Sequence, residues 1–309
     1  MVHFALKAAA ALSSLLAVTN AAAIQARDTP RAFYSIAHRC LSRTDIQNAL
    51  DDGANAIETD MAAWKEWYAD HDVKSDGSSS EAKAEDLFKF MGEHKNKDQI
   101  RFVWLDMKNP DWCTDKTKDK CHFSDLHDMV KKYLTGNGIR VMYEFYTDPI
   151  STDDVPWKHE KPLKESPAFE YLRKNLGDLE AISIKSSTWK KSSDGFENDY
   201  KGHPLRQQLY DNGFDDPKPH LDDLTKDLKG ALSKRGTVFN KVFSFTTNED
   251  DESAVNKLMD LEIDGLIYGN REHDYSYDRD GIKKAHKFIT NYIGKHKSLR
   301  AADKNDNPW

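Results

Sequence analysis

Cysteine is scarce in this chain, with three in 309 residues. Three cannot all pair internally, so at least one thiol stays free of any intramolecular bridge. No Asn-x-Ser/Thr sequon occurs, so N-glycosylation is not expected. Charge of one sign is not concentrated either. The net charge is −7 with acids and bases interspersed, which gives no broad electrostatic case for nucleic acid. Beyond the N-terminal segment there is no second long apolar run, and this argues for a soluble protein. No internal repeat and no compositional break suggest a second domain.

The one long apolar run, Ala8 to Val18, follows a weakly basic start at His3 and Lys7 and precedes Ala21-Ala22-Ala23. That order reads as a secretory signal over residues 1–23, and the run is too short and lacks the charged stop of a membrane anchor. Residues 24–32 read as a short propeptide or N-terminal extension. The barrel assignment covers residues 33–309, roughly 280 residues, a length suited to one (β/α)₈ barrel. Secretion implies an oxidising compartment, where Cys113 and Cys121 would close the charged loop Thr114 to Lys120 and leave Cys40 free near His38. Three reduced structural cysteines are the weaker alternative.

Strand-like and helix-like patterns alternate along most of the chain, the mark of an α/β fold. Strands are expected near Phe33 to His38, around Glu58 and Asp60, at Ile100 to Lys108, Ile139 to Tyr146, Ala181 to Ser187, Lys241 to Thr246 and Gly265 to Tyr268. Helices are expected from Ser42 to Gly53, Ala84 to Lys95, Ser124 to Leu134, Ala168 to Leu176, after Pro204, and from Gly281 to Tyr292. Ala62 to Asp72 reads as an aromatic-rich extension or hairpin carrying His71. Gly77 to Ser80 reads as a loop, as does the stretch with Pro149, Pro156 and Pro162. The sixth strand is the obscure one, since Gly213 to Leu221 holds its place but contains Pro217 and Pro219.

Three apolar runs end in chemically capable residues. In Gly53-Ala54-Asn55-Ala56-Ile57-Glu58-Thr59-Asp60 the two acids alternate, so both project from one face of a strand. Asp106 ends the next strand in the corresponding place. Two acids alone could equally serve as salt-bridge partners. The third makes an all-oxygen set suited to Mg²⁺ or Ca²⁺ rather than Zn²⁺. Among twelve histidines, most default to surface or structural roles. His38 stands out because it ends a strand, and His71 because Asp70 and Asp72 flank it and could orient its ring. Two imidazoles on either side of a metal-bound phosphate would supply a general base and a general acid. Lys108, on the same face as Asp106, suits a phosphate oxygen, although a solvated lysine is the ordinary alternative.

These residues resemble the sphingomyelinase D/phospholipase D family of spider venoms, certain bacteria and fungi, a branch of the glycerophosphodiester phosphodiesterase-like barrels. The resemblance rests on Gly53 to Asp60, on Leu105-Asp106-Met107-Lys108, and on the ending Ala302-Asp303-Lys304-Asn305-Asp306-Asn307-Pro308-Trp309, which is similar to the family tail Ala-Thr-x-x-Asp-Asn-Pro-Trp. It implies a single (β/α)₈ barrel of the PLC-like phosphodiesterase type whose bottom the tail closes. It also implies His38 and His71 as catalytic histidines, Glu58, Asp60 and Asp106 as Mg²⁺ ligands, and Lys108 as the phosphate contact. The substrate would be a sphingolipid or phospholipid at a membrane surface, acted on by a secreted monomer. The nucleophile would often be the substrate's own hydroxyl, giving a cyclic phosphate plus choline; attack by water stays open. The chain departs from the spider pattern in three places: no cysteines brace the loop after His71, Phe245 stands for a tryptophan, and Asp303 for the tail threonine.

Two rivals stand against this reading. A water-using glycerophosphodiester phosphodiesterase shares a His-Arg pair, as in His38-Arg39, and a Glu-x-Asp pair, but continues with a glycine where this chain has Cys40. An inactive secreted lipid-binding barrel would be signalled by loss of a ligand or a histidine, and none is lost. Trp64, Trp67 and Tyr68 could help such a surface meet a bilayer, or could simply pack in the hairpin.

Overall fold

The computed structural model describes residues 29–72, 81–113, 119–147, 163–185, 193–196, 199–200 and 202–309. The expected signal sequence lies outside the described residues, as do the Gly77 to Ser80 loop, the three-proline loop and most of the loop between Cys113 and Cys121.

Eight parallel strands close into a barrel, as the alternation of elements led one to expect. They are β1 (Arg31–Ala37), β2 (Ala56–Ala63), β4 (Phe102–Met107), β5 (Arg140–Tyr146), β6 (Glu180–Lys185), β7 (Gln208–Gly213), β8 (Lys241–Thr247) and β9 (Gly265–Tyr268). Neighbouring strands pair in that order, and β1 pairs with both β2 and β9 to complete the circle. Closure leaves no open edge among these eight strands. A short strand β3 (Trp67–Ala69) folds back antiparallel on the end of β2, and β10 (Leu299–Ala301) runs beside the start of β1.

Amphipathic helices cover the outside: α1 (Arg43–Asp51), α2 (Ala84–Gly92), α3 (Phe123–Tyr133), α4 (Pro167–Asn175), α5 (Leu221–Ser233), α6 (Glu252–Asp260) and α7 (Arg279–Lys295). Their starts follow local chemistry. Ser42 caps α1 by accepting from the Asp45 N–H at 3.1 Å, and Ser166 caps α4 with Pro167 in its first turn. Helix α2 stops at Gly92, short of the expected Lys95. A Cβ there would overlap the Tyr133 carbonyl, so glycine lets α2 and α3 approach closely.

The region after Pro204 departs from expectation. No helix follows that proline; a 3₁₀ turn at Leu205–Gln207 leads directly into β7. The sixth barrel strand is therefore Gln208–Gly213 rather than Gly213 to Leu221, and Pro217 instead introduces the turn before α5. The strand escaped notice because its interior residue is an acid. Asp211 is buried and accepts a hydrogen bond from the Ser183 hydroxyl, so the local pattern is too polar to read as a core strand.

Apolar side chains form two bodies. The larger lies between strands and helices. The smaller fills the lower barrel with Tyr34, Phe102, Trp104, Met142, Leu209 and Phe243, and Trp309 joins it. The Trp309 ring stands edge-on to Phe102 at 5.7 Å between centroids. Phe102 opens β4, so the tail plugs the end of the barrel opposite the carboxyl ends of the strands. Arg300 binds both Asp306 oxygens at 2.5 and 2.6 Å, and the Trp309 N–H donates to Asn307 Oδ1. The Arg300 hydrogen bonds hold the Asp306 carboxyl below its ordinary 3.8. That contribution is full above the ordinary value and fades as pH falls through the lower folded-state one.

Burial of the Trp309 side chain contributes about 2–3 kcal/mol. Deleting residues 306–309 should lower the melting temperature in a thermal scan and reduce yield of folded protein. The KM of the protein that does fold should stay nearly constant, because the plug is remote from the upper end. An unchanged melting temperature would show that the tail is dispensable.

Candidate functional site

The parallel register of β2 and β4 sets Asp60 beside Asp106, and Glu58 beside Trp104. Both acids of β2 share one face because they are two residues apart, and it is the inward face, on which Ala56 joins the barrel filling. At the upper end the interior is polar. Ligand atoms of Glu58, Asp60 and Asp106 all lie within 4.8 Å of one another, and all three residues are buried. Lys108, just past the end of β4, directs its ammonium between two of them, at 2.7 Å from Asp60 Oδ1 and 2.6 Å from Asp106 Oδ2. The Tyr146 hydroxyl also donates to Asp106, at 2.9 Å.

The cluster holds more negative charge than Lys108 alone neutralises. Burial, with Asp60 and Asp106 alongside, pushes the Glu58 carboxyl well above its usual range. Burial acts on Asp60 in the same sense, but Lys108 outweighs it and holds that carboxyl well below. Desolvation likewise opposes the charge on Lys108, yet Asp106 and Asp60 carry its ammonium well above the ordinary lysine value. Asp60 Oδ2 and Asp106 Oδ1 are buried without a hydrogen-bond partner among the described residues. Unsatisfied carboxylate oxygens are costly in a buried site. An all-oxygen set with spare lone pairs and excess negative charge fits a hard divalent cation.

The histidines arrive by different routes. His38 immediately follows β1, and its Nδ1 lies 2.7 Å from the Asn270 carbonyl oxygen. A carbonyl can only accept, so Nδ1 carries the proton and Nε2 keeps a lone pair. Burial pushes this imidazole down to about 4. His71 comes through the β2–β3 hairpin, whose pairing of Met61 with Ala69 and the Asp70 N–H bond to the Asp60 carbonyl turn the chain back over the carboxylates. Its Nδ1 donates to Asp72 Oδ1 at 2.5 Å, and that bond helps hold the Asp72 carboxyl down to about 2. His71 stands beside an open cleft of about 570 Å³ lined also by Arg39, Asp70, Asp72, Glu272 and Tyr277. The cleft reaches His71, whereas the three carboxylates are buried and do not line it.

All six residues singled out in the sequence thus sit at the upper end of the barrel, on the strands and loops that build it. Several participants went unread. Glu144 on β5 accepts from the Trp104 indole at 3.0 Å and lies 3.4 Å from the Lys185 ammonium, which itself sits over the Phe245 ring at 3.9 Å from the centroid. An acid inside the run Val141 to Tyr146 was a visible signal for Glu144. Lys185 closes its strand much as Asp106 and Lys108 close theirs. The Asn270 carbonyl left no trace in the sequence, since any residue supplies one. The expected bridge between Cys113 and Cys121 is present, with Cα atoms 5.7 Å apart, and Cys40 is a buried free thiol. No helix among the described residues is long and apolar enough to cross a membrane. In the hairpin, Trp67 is buried and donates to the His122 carbonyl, which is a packing role.

Comparison with known proteins agrees with this geometry. The chain is 34% identical over 286 residues to a sphingomyelinase D of Aspergillus flavus, covering 91% of this chain and 92% of that one. It is 32% identical over 301 residues to a sphingomyelinase D of Paracoccidioides brasiliensis, covering 90% and 86% respectively. Among solved structures, a β-mannanase of Thermomonospora fusca superposes with a TM-score of 0.54 at 12% identity over 88% of this chain and 92% of that one, which bears on the barrel fold alone. The sphingomyelinase D/phospholipase D family pattern matches residues 28–309. With the match spanning the whole barrel and its tail, the chain belongs to the sphingomyelinase D/phospholipase D family.

Proposed function

We propose that the protein is a secreted, Mg²⁺-dependent phospholipase D of the sphingomyelinase D type, acting as a monomer at membrane surfaces on sphingomyelin, lysophospholipids or both. In this reading residues 1–23 are removed as a signal, 24–32 form a short extension, and 33–309 are the catalytic barrel. The observation that carries the proposal is the convergence of two differently held imidazoles on one buried carboxylate cluster, in a member of this family.

Each side chain has a distinct task. The Asn270 carbonyl keeps the His38 proton on Nδ1, so Nε2 is free to accept a proton from an attacking hydroxyl. Burial favours the neutral ring, which is the form a base requires. His71 faces the opposite demand. Its Nδ1 donates to the Asp72 carboxylate, which orients the ring so that Nε2 can deliver a proton to the departing choline oxygen. Lys108 places a fixed positive charge where phosphate oxygens would lie. Glu58, Asp60 and Asp106 would hold Mg²⁺, whose charge, when bound, offsets that developing on the phosphoryl oxygens during in-line displacement. The attacking group in this proposal is the substrate's own hydroxyl, giving a cyclic phosphate and free choline.

³¹P NMR of products from sphingomyelin and lysophosphatidylcholine tests the class and the nucleophile together. A cyclic phosphate signal is expected, whereas an open phosphomonoester would assign the attack to water, and no turnover of either lipid would overturn the reading. Asp60→Ala should abolish turnover while leaving circular dichroism unchanged, and EDTA should do the same to the parent protein until Mg²⁺ is restored. Full activity after chelation would remove the metal from the scheme.

His38→Ala and His71→Ala should each slow turnover by about 10²–10⁴-fold with Mg²⁺ affinity by calorimetry nearly intact. A nearly silent substitution on a substrate with a choline leaving group would strip that residue of its role.

A further inference from the structure

His71 is half-exposed on a hairpin loop, and among the described residues its ring is held by a hydrogen bond to Asp72 Oδ1. The other Asp72 oxygen, Oδ2, accepts from the Arg39 guanidinium at 2.8 Å. Arg39 is 4% exposed, although Asp72 is largely open to solvent. A second arm of the same guanidinium donates to the Glu272 carbonyl at 2.8 Å, and Nε lies 3.8 Å from Asp274. The chain at Arg39 has φ +49°, a left-handed conformation that favours glycine. That turn lets the Arg39 N–H reach Glu58 Oε2 at 2.6 Å and the Cys40 N–H reach the Glu58 carbonyl. An arginine in a glycine-like conformation is explained by its side chain, which joins three loops.

We propose that Arg39 is a positioning residue for His71, acting through Asp72. The adjacent residues His38 and Arg39 then set both imidazoles from one turn: His38 is tied to Asn270, and the neighbouring guanidinium ties His71 through Asp72. Lysine could not replace this function fully, because only a planar fork reaches the Asp72 carboxylate and the Glu272 carbonyl together. The kinetic consequence rests on the phospholipase reading given above; the placement of the His71 ring does not.

The test uses full-length protein with Arg39→Gly, Arg39→Lys, Asp72→Asn and the double variant R39G/D72N. Arg39→Gly suits the left-handed backbone and removes the whole side chain, the guanidinium with its alkyl stem. Thermal melts establish folding, ¹⁵N-edited NMR of the imidazoles is recorded without metal, and steady-state kinetics use lysophosphatidylcholine with Mg²⁺. In Arg39→Gly and Asp72→Asn the His71 Nδ1 signal should lose its hydrogen-bonded shift while the His38 signals stay in place. The kcat should fall about 10- to 100-fold with KM within about twofold. R39G/D72N should be no slower than Asp72→Asn alone, because two members of one relay do not add. Arg39→Lys should recover part of the loss, and it carries the NMR comparison if Arg39→Gly does not fold. Unchanged His71 signals, multiplicative losses in the double variant, or equal displacement of His38 and His71 would each overturn the proposal. An inactive parent protein would defeat the phospholipase reading, and the NMR comparison would still decide the role of Arg39.

Discussion

A buried lysine shared by two buried carboxylates organises the upper barrel. Lys108 reaches Asp60 as well as Asp106, its neighbour on the same strand, only because β2 and β4 pair in a register that sets those acids level. Slipping that register by one residue would turn Glu58 and Asp60 out of the barrel and leave the buried ammonium with Asp106 alone. Breaking a buried pair by removing one partner typically costs about 3–5 kcal/mol, so the register is constrained by charge as well as by packing. Three acids against one lysine also leave a surplus of negative charge, and that surplus is what suits the cluster to a divalent cation.

The barrel interior is divided along its axis. Below, aromatic and aliphatic side chains fill it and Trp309 seals the end. Above, Glu144, Lys185, Asp211 and Ser183 join the carboxylate cluster in a connected polar layer. Buried polar groups are tolerable when they satisfy one another. The apolar floor excludes water from beneath and so strengthens every electrostatic contact in the layer above it.

Loops then adjust what strands position coarsely. The segment from Asn270 to Asp274 touches His38 through a carbonyl and Arg39 through Glu272 and Asp274. The β2–β3 hairpin supplies His71 and Asp72. Two histidines with identical intrinsic chemistry therefore receive opposite surroundings. One is half-buried against a neutral carbonyl, and the other is more open and paired with a carboxylate. Their Nδ1 atoms are therefore held by different acceptors, a backbone carbonyl in one case and a carboxylate in the other.

Much was legible before any coordinates. Alternating apolar runs required an α/β fold, and Glu58 and Asp60 had to share a face because a strand has period two. Asp106 and Lys108 did so for the same reason, and Cys113 and Cys121 were close enough in sequence to bridge. Where the barrel interior turned polar, the reading failed. The strand at Gln208–Gly213 was displaced because Asp211 faces inward, and an inward acid erases the hydrophobic signal that marks a core strand. Sequence named the six candidate side chains because their identity and local spacing carry chemistry. Their mutual placement depended on strand order, on a hairpin that folds back, and on backbone carbonyls at Asn270 and Glu272. Carbonyls are common to every residue, and contacts more than two hundred residues apart leave no local periodicity, so only the closed barrel could decide them.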